Sequence, residues 1–154
     1  MKLWYIILMV HLRPARKEDA AAIRGLIYQV GINPTGLDWR RFVLAVDEHD
    51  RIAGCAQVKP HGDGTHELAS LAVQPAYRGQ GVARCLIEYL LAHHPSPLYL
   101  TCRSRLQPFY EKFGFQTVSL AHLPPYFRRI ARLAALFGRG LASPGGLRVM
   151  RRKE

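Results

Sequence analysis

The stretch from Glu67 to Ala83, reading Glu-Leu-Ala-Ser-Leu-Ala-Val-Gln-Pro-Ala-Tyr-Arg-Gly-Gln-Gly-Val-Ala, constrains this chain more than any other. An apolar, strand-like run feeds a glycine-rich turn. The turn opens a helix, because Val82, Leu86, Ile87, Leu90 and Leu91 recur at helical spacing. Backbone N–H groups at a helix start lack intrahelical partners and carry the positive end of the macrodipole, so they form a phosphate site. Gly79 and Gly81 remove the Cβ atoms that would block a pyrophosphate, and Arg78 adds charge. Taken alone, such a turn is weak evidence, with a tight turn that holds no ligand as the plain alternative. Two phosphate-binding motifs are excluded in detail. Arg84 stands where the third glycine of GxGxxG belongs, and Thr101 lies where an acid is expected about 20 residues on. No GK[ST] follows, so this is not a P-loop. Ser70 occupies the second histidine position of the HExxH that His66-Glu67 would begin, and no metal site is read in the sequence.

Hydrophobic periodicity sets the rest of the order. Val10 to Arg13 reads as a strand ended by Pro14, and Ala20, Ile23, Leu26, Ile27 and Val30 as a helical stripe ended by Gly31. Strand-like runs follow at Phe42 to Val46, Arg51 to Val58 and Glu67 to Val73, joined by the turn signals Glu48-His49-Asp50 and His61-Gly62-Asp63-Gly64. Beyond the Val82 helix come a strand at Leu98 to Cys102, a short helix at Leu106 to Phe113, and a strand at Phe115 to Leu120. A basic helix from about Tyr126 to Phe137 and a last strand at Leu147 to Met150 complete the chain. Strands interleaved with helices predict an α/β protein with a mixed sheet.

The 154 residues fit a single domain with its own core. The formal charge is +11, from 22 basic and 11 acidic residues, which favours polyanionic partners: nucleotides, nucleic acid or an anionic membrane. Arginine excess from genome composition reads equally well. Cys55, Cys85 and Cys102 are scattered without CxxC spacing, so they read as buried reduced thiols in a cytoplasmic protein. The apolar run from Leu3 to Val10 is far short of the ~20 residues that span a bilayer. No small-x-small cleavage site follows it; a strand, or an extension over residues 1–9 ahead of a start near Met9, fits better.

Two motifs together carry a family resemblance. Arg78-Gly79-Gln80-Gly81-Val82-Ala83 matches the R/Q-x-x-G-x-G/A motif of the GCN5-related N-acetyltransferases, the GNAT superfamily. Phe109-Tyr110-Glu111-Lys112-Phe113-Gly114-Phe115 resembles that family's FYEKxGF signature. The motifs stand in the family order, and the resemblance covers roughly residues 10–152. It implies a mostly antiparallel central sheet flanked by helices, with residues 124–138 as a helical insert between the last two strands. It also implies acetyl-CoA as co-substrate. The Arg78–Ala83 turn would hold the pyrophosphate, and the backbone of Leu71, Ala72 and Val73 would pair with the pantetheine arm. The family's fourth and fifth strands splay apart there and leave backbone donors near the thioester, where an N–H stabilises developing charge.

The implied activity is direct transfer of acetyl to an amine of an acceptor the sequence does not identify. A neutral amine must form, and the departing thiolate must gain a proton. Tyr110 matches the family tyrosine that acts as general acid, although a core aromatic beside Phe109 and Phe113 reads similarly. Glu67 matches the strand-four general base, with a solvated or salt-bridged strand residue as the plain alternative. His66 and His122 are lesser candidates. Arg103 stands where many family members place a cofactor-contacting asparagine, and would reach a phosphate or an acidic acceptor instead. Acceptor contacts are expected from loops near Ile32–Trp39 and from the insert, where Trp39 and Tyr126 would line a pocket or pack. In the insert, Phe127, Ile130, Leu133, Ala134 and Phe137 share one face, with Arg128, Arg129 and Arg132 elsewhere. That predicts a packed helix with a solvated basic face, and otherwise a lid, a homodimer contact, or a surface for RNA or anionic lipid. The rival to the enzyme is an acyl-CoA sensor, or an RNA- or membrane-associating module, on the same fold.

Overall fold

The computed structural model describes residues 10–141 and 143–153. The extension expected over residues 1–9 lies outside them. Seven strands form one mixed, mostly antiparallel sheet: β1 (His11–Pro14), β2 (Phe42–Val46), β3 (Ile52–Pro60), β4 (His66–Val73), β5 (Leu98–Arg103), β6 (Gln116–Thr117) and β7 (Leu147–Arg152). Their order is β1-β2-β3-β4-β5-β7-β6. The helices are α1 (Ala20–Val30), α2 (Val82–His93), α3 (Gln107–Glu111) and α4 (Pro125–Leu136). Among the described residues no helix is long and apolar enough to cross a membrane.

The chain divides into two compact units. The first holds the described residues up to Lys59 together with Leu68–His94. Its core joins Ile23, Leu26 and Ile27 of α1 to Phe42, Leu44, Val46, Cys55 and Ala72. The stripe predicted for α2 is the face that the helix buries, through Val82, Leu86, Ile87 and Leu90. Gly54 lets α2 lie close to β3: a Cβ there would fall 2.9 Å from Val82 Cγ1 and 3.0 Å from the Ala72 carbonyl oxygen. A single-turn 3-10 helix at Pro75–Tyr77 leads into α2. It is anchored by the Tyr77 hydroxyl, which donates to Asp47 Oδ2 at 2.9 Å. Arg51 Nε donates to the same oxygen at 2.8 Å. Burial pushes the Asp47 carboxyl up, but the N–H and guanidinium of Arg51, the Tyr77 hydroxyl and the His49 N–H together hold it well below the usual carboxylate range.

The second unit holds Pro60–Glu67 and the described residues from Pro95 onward. In it β7 runs antiparallel to both β5 and β6. Tyr99, Leu123, Phe127, Ala131 and Val149 form its core, with Tyr99 stacked on Phe127 at 4.9 Å.

Three expectations need correction. The strand expected over Phe115 to Leu120 is only Gln116–Thr117, because Ser119 bonds His122 and Leu120–His122 forms a 3-10 turn. The short helix expected from Leu106 begins instead as a 3-10 turn at Ser104–Leu106. The apolar face expected for α4 is also different. Phe127 and Ala131, one turn apart, are buried, whereas Leu133 is 54% and Phe137 79% exposed. Cys55 and Cys102 are buried free thiols; Cys85 is free but only half-buried.

Two stability measurements follow. Gly54→Ala should lose about 1–3 kcal/mol in denaturant unfolding, because neither a branched Val82 nor a backbone carbonyl can yield freely. Gly25→Ala, on α1 with open space at its Cβ, should gain up to about 1 kcal/mol. Equal effects at the two sites would contradict the packing of α2. Secondly, the Asp47 carboxylate stabilises the fold fully above about pH 4, where the unfolded side chain is ionised too, and that contribution is lost as pH falls below this toward the folded value. Asp47→Asn should therefore melt lower at neutral pH and decline less between about pH 4 and pH 2. Parallel melting curves would refute this.

Candidate active site

Most of the predicted cofactor-binding residues lie in the first unit. Ser70, in the middle of β4, has φ +56°, a left-handed backbone for a residue with a side chain. Gln57 holds it: Nε2 donates to Ser70 Oγ at 2.8 Å and to the Gly36 carbonyl at 3.2 Å. Gln57 is fully buried, and its Oε1 has no hydrogen-bond partner among the described residues. Lys59 Nζ donates to the Thr35 carbonyl at 2.8 Å, so β3 tethers the loop that the sequence analysis assigned to acceptor contacts. Past Ser70, Leu71 and Val73 are half-buried and Ala72 is buried.

The turn after β4 has the geometry of an anion cradle. Gly79 and Gly81 have φ of +74° and +83°, which favours glycine at both. Nothing lies within 4 Å of where a Gly79 Cβ would be. The N–H groups of Gly79, Gln80 and Gly81 donate to no backbone carbonyl among the described residues. Gly81 caps α2, Val82 is buried at its first turn and Ala83 half-buried behind it. Arg78 is exposed, its Nε reaching the Val73 carbonyl at 3.4 Å. These residues fit a diphosphate: free donors, a cationic side chain and space that a Cβ would fill.

The two predicted proton handlers lie in the second unit, with separate neighbours. Glu67 is 7% exposed. Its register partner on the parallel strand β5 is Tyr99. Its Oε2 lies 2.7 Å from His61 Nε2, and Thr101 Oγ1 is 3.5 Å from its Oε1. Tyr110, on α3, is buried between Phe109 and Phe115, with ring centroids 5.0 and 6.2 Å away. Burial, and secondarily Cys102, pushes its phenol up to about 12. The Tyr110 hydroxyl makes no hydrogen bond among the described residues.

Other candidates are placed differently. Arg103 is exposed at the end of β5, opposite Leu147. His66 is exposed. His122 lies 2.8 Å from Ser119 Oγ and lines a cleft with Thr117, Arg151 and Lys153, apart from the Glu67 pair. Trp39 packs against the first unit's core and carries Arg40 over its ring at 5.0 Å. Tyr126 stacks on His61 at 3.5 Å. Sequence reasoning missed His61, which it read only as part of a turn. It also missed Gln57, whose signal was a lone amide inside an apolar strand.

A family profile described as acetyltransferase (GNAT) domain matches residues 38–117, more than half of the chain. Mycothiol acetyltransferase of Saccharopolyspora erythraea is 42% identical over 52 residues, which are 34% of this chain and 17% of that protein. Among solved structures, N-acetylglutamate synthase from Neisseria gonorrhoeae, complexed with coenzyme A and N-acetyl-glutamate, superposes with a TM-score of 0.73 at 21% identity, over 94% of this chain and 35% of that one. Escherichia coli ElaA gives 0.68 at 20% identity, over 94% of this chain and 100% of its own. The chain thus spans about a sixth of the curated relative and about a third of the synthase. At these identities the structural likeness establishes the fold, and the profile establishes descent. The profile match contains Glu67, the Arg78–Ala83 turn and Tyr110, and the chain belongs to the GNAT acetyltransferase family.

Proposed function

We propose that this chain is an N-acetyltransferase that moves acetyl from acetyl-CoA to a primary amine by direct attack, with residues 1–154 acting as one GNAT domain. The observation that carries the reading is the Arg78–Ala83 turn, with its free N–H groups at Gly79, Gln80 and Gly81 and open space over Gly79. When bound, acetyl-CoA supplies an activated thioester. The chain's own residues do the rest. The turn and Arg78 hold the pyrophosphate by helix-terminal dipole and charge. The Leu71–Val73 backbone positions the pantetheine arm, and Arg103 offers an exposed cation to a phosphate or an acidic acceptor.

Glu67 accepts the proton of the acceptor amine. Tyr110 serves the leaving sulfur. With its phenol near 12 it stays protonated across physiological pH and always presents a donor. A thiolate of ordinary basicity, near 8.5, would take that proton uphill by on the order of 5 kcal/mol, so Tyr110 acts first by hydrogen-bonding the developing charge. The acceptor is an amine drawn from small molecules, peptides or proteins. The synthase neighbour, complexed with an N-acetylated amino acid, fits an amino-group acceptor. Free thiols at Cys55, Cys85 and Cys102 fit a reducing cytoplasm.

One observation favours a second reading, a GNAT-fold module that binds acyl-CoA and associates with RNA, an anionic membrane or a second copy of itself. Leu133 and Leu136 on α4, and Phe137 just after it, are exposed on the segment that also carries exposed Arg129 and Arg132. Catalysis is tested by thiol release against a panel of peptides, polyamines, aminoglycosides and amino acids. The enzyme releases CoA thiol with at least one amine, whereas a sensor binds CoA and consumes none.

Two variants test the assignments. Acetyl-CoA should raise the melting temperature of the wild type. Gly81→Val should abolish the shift in a folded protein, and a normal shift would remove the turn from the cofactor site. Tyr110→Phe should lower kcat by about 10²-fold with little change in acetyl-CoA affinity. Unchanged kcat would return Tyr110 to the core.

A further inference from the structure

The side chain paired with Glu67 has no role in the reading above. His61 Nε2 lies 2.7 Å from Glu67 Oε2, and the two side chains are only 11% and 9% exposed. The imidazole is clamped in place. Tyr126 stacks on it at 3.5 Å with 15° between the planes, and Phe127 meets it edge-on at 5.8 Å. The turn that carries His61 is latched to α4, because Asp63 Oδ2 accepts the Tyr126 N–H at 3.0 Å. Removing a carboxylate and an imidazole from water is costly, and apart from each other the pair has only Thr101 Oγ1, 3.5 Å from Glu67 Oε1, as a polar side-chain partner among the described residues. An imidazole within hydrogen-bond reach of a carboxylate can exchange a proton with it directly.

We propose that His61 is the store for the acceptor's proton and acts through Glu67; this rests on the reading of Glu67 as the base. The acceptor arrives as an ammonium ion. The Glu67 carboxylate takes one N–H proton and hands it from Oε2 to Nε2 of neutral His61. The carboxylate is regenerated beside an imidazolium. The positive charge lost from the acceptor reappears on His61, beside the regenerated carboxylate. The neutral amine attacks the carbonyl carbon, the C–N bond forms and the C–S bond breaks. A second N–H proton ends on the sulfur, the third stays on the amide, and His61 returns its proton to water. The groups facing the imidazole are Glu67 from β4, Asp63 from the turn and the Tyr126 phenol from α4, with Arg129 acting on that phenol. Both carboxylates thus favour the imidazolium electrostatically.

The test combines NMR of histidine-labelled protein with kcat/KM for the acceptor across pH. Glu67→Gln should displace the 15N resonance of His61 Nε2, because its hydrogen-bond partner changes from a carboxylate to an amide, and should leave the other six histidines in place. His61→Gln, which keeps a donor toward Oε2, should cut kcat/KM for the acceptor by about 10- to 100-fold and flatten the fall of activity toward acid pH. It should not alter the melting shift with acetyl-CoA. The wild-type and Glu67→Gln spectra require no His61 variant to fold, so they decide the matter alone if His61→Gln is unstable. A His61 resonance indifferent to Glu67→Gln overturns the relay. So does a His61→Gln enzyme with the wild-type rate and pH profile. A wild type that releases no thiol with any amine overturns the acetyl-transfer reading and the relay together.

Discussion

Ser70 carries a left-handed backbone, φ +56°, inside a strand of eight residues. For a residue with a side chain this conformation costs about 1–3 kcal/mol and persists only where its surroundings enforce it. Here Gln57 enforces it from the neighbouring strand, donating to Ser70 Oγ while also gripping the Gly36 carbonyl. The Cys55 thiol adds a weak contact to the Ser70 carbonyl at 3.6 Å. Before Ser70 lies Glu67, buried and bonded to His61. After it lie Leu71, Ala72 and Val73, which lead into the glycine turn. A regular strand would keep one alternation from end to end, and the left-handed residue interrupts it. The Gln57 Oε1 is left without a hydrogen-bond partner among the described residues, a cost of the kind that folds tolerate at functional sites.

The helix that follows the turn is fixed with comparable firmness. Gly54 admits the Val82 side chain against β3, and the Tyr77–Asp47–Arg51 cluster ties down the approach to the turn. The free N–H groups at Gly79, Gln80 and Gly81 are therefore presented by a backbone anchored on both sides. Preorganised donors of this kind bind an anion without paying to assemble the site first.

Much of this was legible in the sequence, and the reasons differ by segment. Phe42–Val46 and the Val82 helix were read closely, because buried strands and long amphipathic helices carry strong periodicity. The glycine turn was legible because positive φ leaves a residue-type signature at Gly79 and Gly81. Phe115 to Leu120 was misread, because its apolar residues suggested a strand while the Ser119–His122 bond turned the chain away. The α4 face was misread because helical spacing alone does not say which of two overlapping apolar stripes meets a core; Phe127 and Ala131 do, and Leu133 does not. Glu67 was found through its motif, whereas His61 was not. Its significance lies in a pairing across a hairpin and in an aromatic cover from a helix far along the chain. Neither leaves a local pattern.

Amide hydrogen exchange with and without acetyl-CoA asks whether the turn after β4 binds the cofactor's phosphates, because the donors at issue are backbone N–H groups with no backbone partner among the described residues. Acetyl-CoA should slow exchange at Gly79, Gln80 and Gly81 and at Leu71 to Val73. Protection confined to other segments, or none at saturating acetyl-CoA, would exclude the turn as the phosphate site.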